Sequence, residues 1–291
     1  MTAPESKYSI KDLESLTGIK SHTIRIWEKR YGLLTPQRTD TNIRHYSNEE
    51  LRKLLNVSFL VQHGFKISHI AEMPDVDLGE KVKSLNVGSG DSNSFIDTLI
   101  LGLIDLNEMV IQKTLLNATV KHGFEKTITE IIFPFLHRIG TMWQTGSINP
   151  AQEHFISNII RQKLLAATDG IDTPVDSRLP KTVLFLPDNE MHEFGLLFYN
   201  YALRKRGFPV VYLGQAVPTS DLVRIIEITK ADVLLGLLTY SINTQETYNT
   251  IQHFAKSFHG KILLGNRGND KLPKGKNIYH FTSLEDVLSL L

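Results

Sequence analysis

Cysteine is absent from this 291-residue chain, which excludes disulfides, thiolate zinc sites and cysteine nucleophiles. No apolar stretch approaches the roughly twenty residues a membrane helix needs. Met1 to Lys7 lacks the apolar core of a signal peptide. Net charge is nearly absent as well, at +1, so any nucleic-acid signal must be local. No internal repeat or low-complexity tract is visible. With 41% hydrophobic and 22% charged residues, the chain suits two or three globular domains, and a cytoplasmic protein is expected.

The local charge signal lies near the N-terminus. Ile10, Leu13 and Leu16 mark the apolar face of a helix, Thr17-Gly18-Ile19 a tight turn, and Ser21 an N-cap for a second helix over Thr23 to Arg30. That is helix-turn-helix spacing. A loop with Pro36 and the stretch Asn42 to Tyr46 then read as a short wing. Ser47-Asn48-Glu49-Glu50 caps another helix through Leu60. Between Lys20 and Tyr46, six cations (Lys20, Arg25, Lys29, Arg30, Arg38, Arg44) face Glu28 and Asp40, a local balance of +4. A solvated charged helix would explain the run alone; with turn and wing beside it, a phosphate-binding surface is the better reading. Ser21, His22, Arg25 and Lys29 recur at helical spacing and can present one face to a major groove.

Glycine, serine and charge gather between Pro74 and Asn93, which reads as a linker. Helical patterns follow over Phe95–Leu106, Met109–Lys121, Phe124–Trp143 and Pro150–Thr168, enough for a four-helix bundle, with Pro134 expected to kink the third. After a second linker, apolar runs at Thr182–Leu186, Pro209–Leu213, Val233–Thr239, Lys261–Leu264 and Asn277–Phe281 alternate with helices. The expected fold class is multidomain: a winged helix-turn-helix, a four-helix bundle, and an α/β, doubly wound, five-stranded parallel sheet of flavodoxin-like order. The expected boundaries are 1–75 for DNA binding, 76–92 linker, 93–170 bundle, 171–180 linker and 181–291 sheet domain.

The most informative residue is His192, in the loop Pro187-Asp188-Asn189-Glu190-Met191-His192-Glu193-Phe194-Gly195 directly after the first strand. Loops at that end of such a sheet hold ligands. An imidazole there can reach a metal while Glu190, two residues earlier, orients its other nitrogen. A surface histidine beside an ordinary turn is the competing reading. The spacing resembles the Asp/Glu-x-His-x-x-Gly loop of cobalamin-binding domains in methionine synthases and mutases, which implies His192 as lower cobalt ligand in place of the cofactor's own base. Upstream, Trp143 is followed after nine residues by Glu153-His154. This resembles the tryptophan-glutamate-histidine signature of light-sensing cobalamin regulators, whose bundle caps the upper face of adenosylcobalamin. The stretch Thr23 to Leu33, with Arg38 and Arg44-His45-Tyr46-Ser47, resembles the winged helix of MerR-family regulators over roughly residues 7–73.

Together these resemblances imply a non-enzymatic transcriptional regulator, a repressor of the light-responsive kind. Its cofactor would be cobalamin, adenosylcobalamin in first place and methylcobalamin as the alternative. Its partners would be a double-stranded DNA operator, further copies of itself (a dimer or tetramer through bundle and cobalamin domains), and an antirepressor protein in a second version; no membrane is implied. DNA contacts would fall to Ser21, His22, Arg25, Lys29, Arg30, Arg38, Arg44 and Tyr46. Cofactor contacts would fall to Trp143, Glu153, His154, Glu190, His192, Gly195, Thr239, Gly265 and Asn266. Small residues in the loops after the strands would let the nucleotide tail thread into the domain.

Several departures from the family pattern stand out. Where the family has Ser-x-Leu or Ser-x-Thr and then Gly-Gly, this chain has Leu237-x-Thr239 and Gly265-Asn266. Gln144 stands where a histidine takes the upper cobalt position after illumination. Pro74 and its linker interrupt the long dimerising helix of many MerR proteins. A corrinoid methyl-transfer or mutase subunit would account for residues 93–291 but leaves the winged helix unexplained.

Overall fold

The computed structural model describes residues 8–38, 42–62, 64–85, 92–144, 148–188, 190–218, 221–238, 245–266 and 273–291. The chain divides into two compact units, Met1–Asn158 and Ile159–Leu291.

In the first unit, α1 (Ile10–Thr17) and α2 (Ser21–Tyr31) are joined by a turn in which Gly18 takes a left-handed φ of 73°. A side chain there would strain the backbone, which is why the turn needs glycine. Ser9 and Asp12 form a reciprocal capping box at the start of α1. The wing is the antiparallel pair β1 (Gln37–Arg38) and β2 (Arg44–His45). Beyond it, Tyr46 pairs with Tyr8 through two main-chain hydrogen bonds of 2.9 Å. Helix α3 (Asn48–Gln62) begins as expected, the Ser47 and Glu50 side chains each accepting the other's main-chain N–H. Leu13 and Leu16 of α1 are buried, as are Leu51, Leu54, Leu55 and Phe59 of α3.

Next come α4 (Ile67–Ala71) and α5 (Asp75–Leu85). The latter corrects the expected linker over 76–92. Pro74 is preset for a helix start, and Leu78 and Val82, one turn apart, are both buried. Lys53 of α3 pairs with Asp75 at 2.9 Å. That burial outweighs the cost of about 1 kcal/mol for Gly79 inside a helix.

The four helical patterns of the middle region are present. They are α6 (Ser92–Ile104), α7 (Glu108–His122), a run of α8 (Phe124–Lys126), a π-helical turn Thr127–Ile132 and α9 (Phe133–Gln144), and α10 (Pro150–Asp169). The π turn sits immediately ahead of Pro134. Proline offers no N–H and its ring collides with the carbonyl four residues back, so the widened turn lets the helix continue past it. Helices α6, α7, α8 and α9 pack in the first unit with the opening turns of α10, while the rest of α10 belongs to the second. Asp97 of α6 is 1% exposed and meets Arg138 of α9 at 2.7 Å.

The second unit holds β3 (Thr182–Pro187), α11 (Phe194–Arg204), β4 (Val210–Val217), α12 (Leu222–Thr229), β5 (Val233–Leu238), α13 (Gln245–Ser257), β6 (Lys261–Asn266), β7 (Ile278–Phe281) and α14 (Leu284–Leu290). All strand pairs are parallel, in the order β4-β3-β5-β6-β7, the flavodoxin-like arrangement expected. β3 is buried along its whole length, as strands covered on both faces are. One face packs Phe185, Leu234 and Leu264 with Phe254 of α13 and Phe258 just beyond that helix. The expected linker 171–180 is tied down in this unit, with Asp176 donating its N–H to the Gly207 carbonyl at 2.9 Å.

Replacing Arg138 with alanine should destabilise the first unit by about 3 kcal/mol, because a buried carboxylate loses its ion partner. Denaturant unfolding followed by helix content would measure this, and an unchanged midpoint would contradict it.

Candidate functional site

The first candidate surface is α2 with its wing. His22, Arg25, Lys29 and Arg30 are exposed on α2, and Arg38 is exposed on β1. His22, Arg25, Ile26 and Lys29 share one face by their spacing. Ile26, 53% exposed amid these cations, was not singled out by charge patterning. An exposed β-branched residue on a groove-reading helix suits contact with a thymine methyl.

Three expected contacts are otherwise engaged. Ser21 is not the N-cap; that place falls to Lys20, which makes no side-chain cap bond. The Ser21 hydroxyl instead donates to Glu14 Oε2 at 2.5 Å, and its main-chain N–H donates to the same oxygen at 3.1 Å. These bonds, with Lys20, hold the Glu14 carboxyl down to about 2, well below the usual carboxylate range. Tyr46 is fully buried and donates to Glu28 Oε2 at 3.2 Å, so it braces the wing and is removed from the direct contacts. Burial and the neighbouring Glu28 push its hydroxyl up to about 12. Arg44 is partly exposed and lies 3.3 Å from Glu28 Oε1. One carboxylate thus fastens both wing residues to α2.

The second candidate is the loop between β3 and α11. Glu190 has no exposure, and its Oε1 lies 2.9 Å from the His192 main-chain N and 2.7 Å from Nδ1. With the Nδ1–H donated to Glu190, Nε2 carries the ring's lone pair, the form that ligates a metal. The His192 side chain is 67% exposed. The loop is held on further sides. Gln215 donates to the Met191 carbonyl at 2.7 Å, Ala216 N–H to the Glu190 carbonyl at 3.2 Å, and Arg161 to Glu193 at 2.5 Å. Arg161 carried no motif in the sequence, and only folding brings it 32 positions along to Glu193.

Gly195 and Gly265 meet a common neighbour. A Cβ on Gly195 would lie 2.7 Å from Leu237 Cδ1, and one on Gly265 would lie 2.5 Å from Leu237 Cδ2. Leu237 lies against both glycines and fills the space a side chain on either would take. Thr239 falls outside the described residues, and the side chain of Asn266, at the end of β6, does too. In the first unit, Trp143 and Gln144 occupy the last turn of α9, their side chains also outside the described residues. Glu153 and His154 lie in the first turn of α10, with His154 Nδ1 3.2 Å from Glu153 and Ser157 donating to Glu153 at 2.7 Å.

Residues 8–75 match the MerR HTH family regulatory protein, and residues 96–167 match the B12 binding domain. The chain joins a MerR-family DNA-binding region to a B12 binding domain. It is a cobalamin-binding, DNA-binding transcriptional regulator. The HTH-type transcriptional repressor CarH of Myxococcus xanthus is 27% identical over 250 residues, covering 84% of this chain and 82% of the relative. The repressor CarA of the same organism is 28% identical, covering 73% and 70%. A monomethylamine corrinoid protein of Methanosarcina barkeri has a TM-score of 0.47 at 14% identity, covering 62% of this chain and 88% of that one. Of the residues expected to meet cobalamin, His192 and Glu190 fit a lower cobalt ligand and its orienting acid. Gly195 and Gly265 have the space above them taken by Leu237.

For this MerR-type head, Arg25→Ala with Lys29→Ala should lower the salt slope of DNA binding by about two units, whereas Tyr46→Phe should leave it unchanged. Equal slopes for all three proteins would contradict the assignment. Glu14 supplies the pH test. Its carboxyl titrates lower in the folded chain than the ordinary 4.5, so its bracing is fully present above that value and is lost as pH falls towards about 2. A Glu14→Gln variant should therefore melt lower than the parent at neutral pH, with the gap narrowing through that acidic window.

Proposed function

We propose that this regulator is a repressor whose self-association, and through it operator binding, is governed by adenosylcobalamin and by light; methylcobalamin is the alternative ligand. The observation that carries this reading is His192, its Nδ1 fixed 2.7 Å from a fully buried Glu190, in the same chain as an exposed cationic recognition helix. The kinship with CarH and CarA, both named repressors, supports it. In this reading His192 would hold the cobalt, and Glu190 would keep its tautomer and direction. Trp143, Glu153 and His154 would contact the cofactor, as their signature implies. Bound adenosylcobalamin supplies a cobalt–carbon bond that light can break.

Control then follows from linkage. A ligand shifts an assembly equilibrium only by binding one state better than the other. Removing the adenosyl group removes that preference, and protomers that part lose the avidity of joint operator binding. Gln144 has no imidazole to offer the cobalt, so the illuminated protein should release its cofactor more readily.

The test is size-exclusion mass and operator affinity of cofactor-loaded protein, in the dark and after green light. Both should fall together on illumination. Identical mass and affinity would reject light switching and leave simple cobalamin sensing or control by a protein partner. Substituting His192 by alanine should weaken corrinoid retention and shift its visible spectrum; an unchanged spectrum would remove His192 as the ligand.

A further inference from the structure

The side of the sheet that carries Leu237 is filled where a ligand arm would need room. Leu237 sits next to last in β5, the strand between β3 and β6, and pairs in register with Gly265. It is partly exposed while Gly236 and Leu238 on either side are buried, so its isobutyl group stands at the open edge. Its two methyl carbons occupy the space above Gly195 and above Gly265 at once. Phe281, at the end of β7, also crowds Gly265, its Cζ 2.6 Å from where a Cβ would be. The Phe281 ring then meets Tyr199 of α11 edge-on, with centroids 5.2 Å apart. Two glycines that would open a channel between α11 and the sheet instead accommodate large side chains.

This matters because of what a histidine ligand does to the cofactor. If His192 takes the lower cobalt position, the cofactor's own base is displaced and its nucleotide arm hangs below the ring, towards the ends of the strands. Protein interiors are packed as densely as organic crystals, so a bicyclic base cannot enter an occupied space without a side chain leaving it. We propose that Leu237 is a specificity-determining residue that closes the nucleotide channel. The domain then holds a corrinoid through the ring and the cobalt alone, and the nucleotide arm stays in solvent. The inference rests on the reading of His192 as lower ligand.

The experiment is an equilibrium titration of the full chain with hydroxocobalamin and with diaquocobinamide, which has the same ring but no nucleotide, followed by visible absorbance. The native chain should bind the two within about threefold of each other. Leu237→Ser, and independently Leu237→Ala, should raise affinity for hydroxocobalamin by about tenfold or more and leave that for diaquocobinamide unchanged. The native comparison needs no variant to fold. A native preference for hydroxocobalamin above about tenfold would overturn the proposal, as would Leu237 variants whose preference does not move. Native protein that takes up neither corrinoid, with a Leu237→Ser variant that takes up hydroxocobalamin, would uphold the plug and overturn cofactor control of the native chain. Failure of the cobalt-ligand reading shows separately, as a His192→Ala spectrum identical to the parent's.

Discussion

A carboxyl group shut away from water is tolerated only where donors meet it. Glu190 is such a group, and its Oε1 meets the main-chain N–H and the ring of one residue, His192. The pairing fixes more than a side chain. It sets the turn at the end of β3, which is buried throughout, and it leaves the imidazole largely exposed. Main-chain bonding from Ala216 ties the same turn to the end of β4, and Arg161 draws Glu193 towards α10. The orientation of the His192 ring, on which its proposed role as cobalt ligand rests, is therefore a consequence of how the sheet's first strand ends.

Much of this was legible in the sequence because it is local. The strands announce themselves as apolar runs, the turn at Gly18 by its glycine, and the His192 loop by spacing alone. What escaped was decided by contacts across sequence. Ser21 has the chemistry of an N-cap, but Glu14, seven residues back, competes for its hydroxyl and wins with two hydrogen bonds. Tyr46 looks like a DNA contact beside Arg44, yet pairing with Tyr8 38 positions away draws it into the core. Helix α5 hid behind Pro74 and Gly79 because composition suggested a linker, while the burial of Leu78 and Val82 against the rest of the unit could not be seen.

Gly195 and Gly265 show a different limit. Each glycine matches a motif that implies room for a ligand, and each was read one residue at a time. Volume is shared, however, and the residue that decides whether the room exists is Leu237, which the motif comparison registered only as a missing serine. A small residue is a channel only if nothing opposite has grown into it. In the proposed reading, the cobalt end of the motif and its nucleotide end diverge independently, the first resting on Glu190 and the second on β5.

The DNA-binding head constrains how regulation can work. Ser9 with Asp12, Ser47 with Glu50, Glu14 with Ser21, and Glu28 with Arg44 and Tyr46 brace it internally. Among the described residues, the head is held by its own capping boxes and carboxylates. A ligand that does not discriminate between two states of the head cannot shift it. In the proposed reading, control from the B12 binding domain acts through the number of heads held together on one operator. Linking heads multiplies affinity without a new contact, and separating them removes that gain. The internal bracing of the head and the proposed assembly switch are thus complementary: the first leaves regulation to the second.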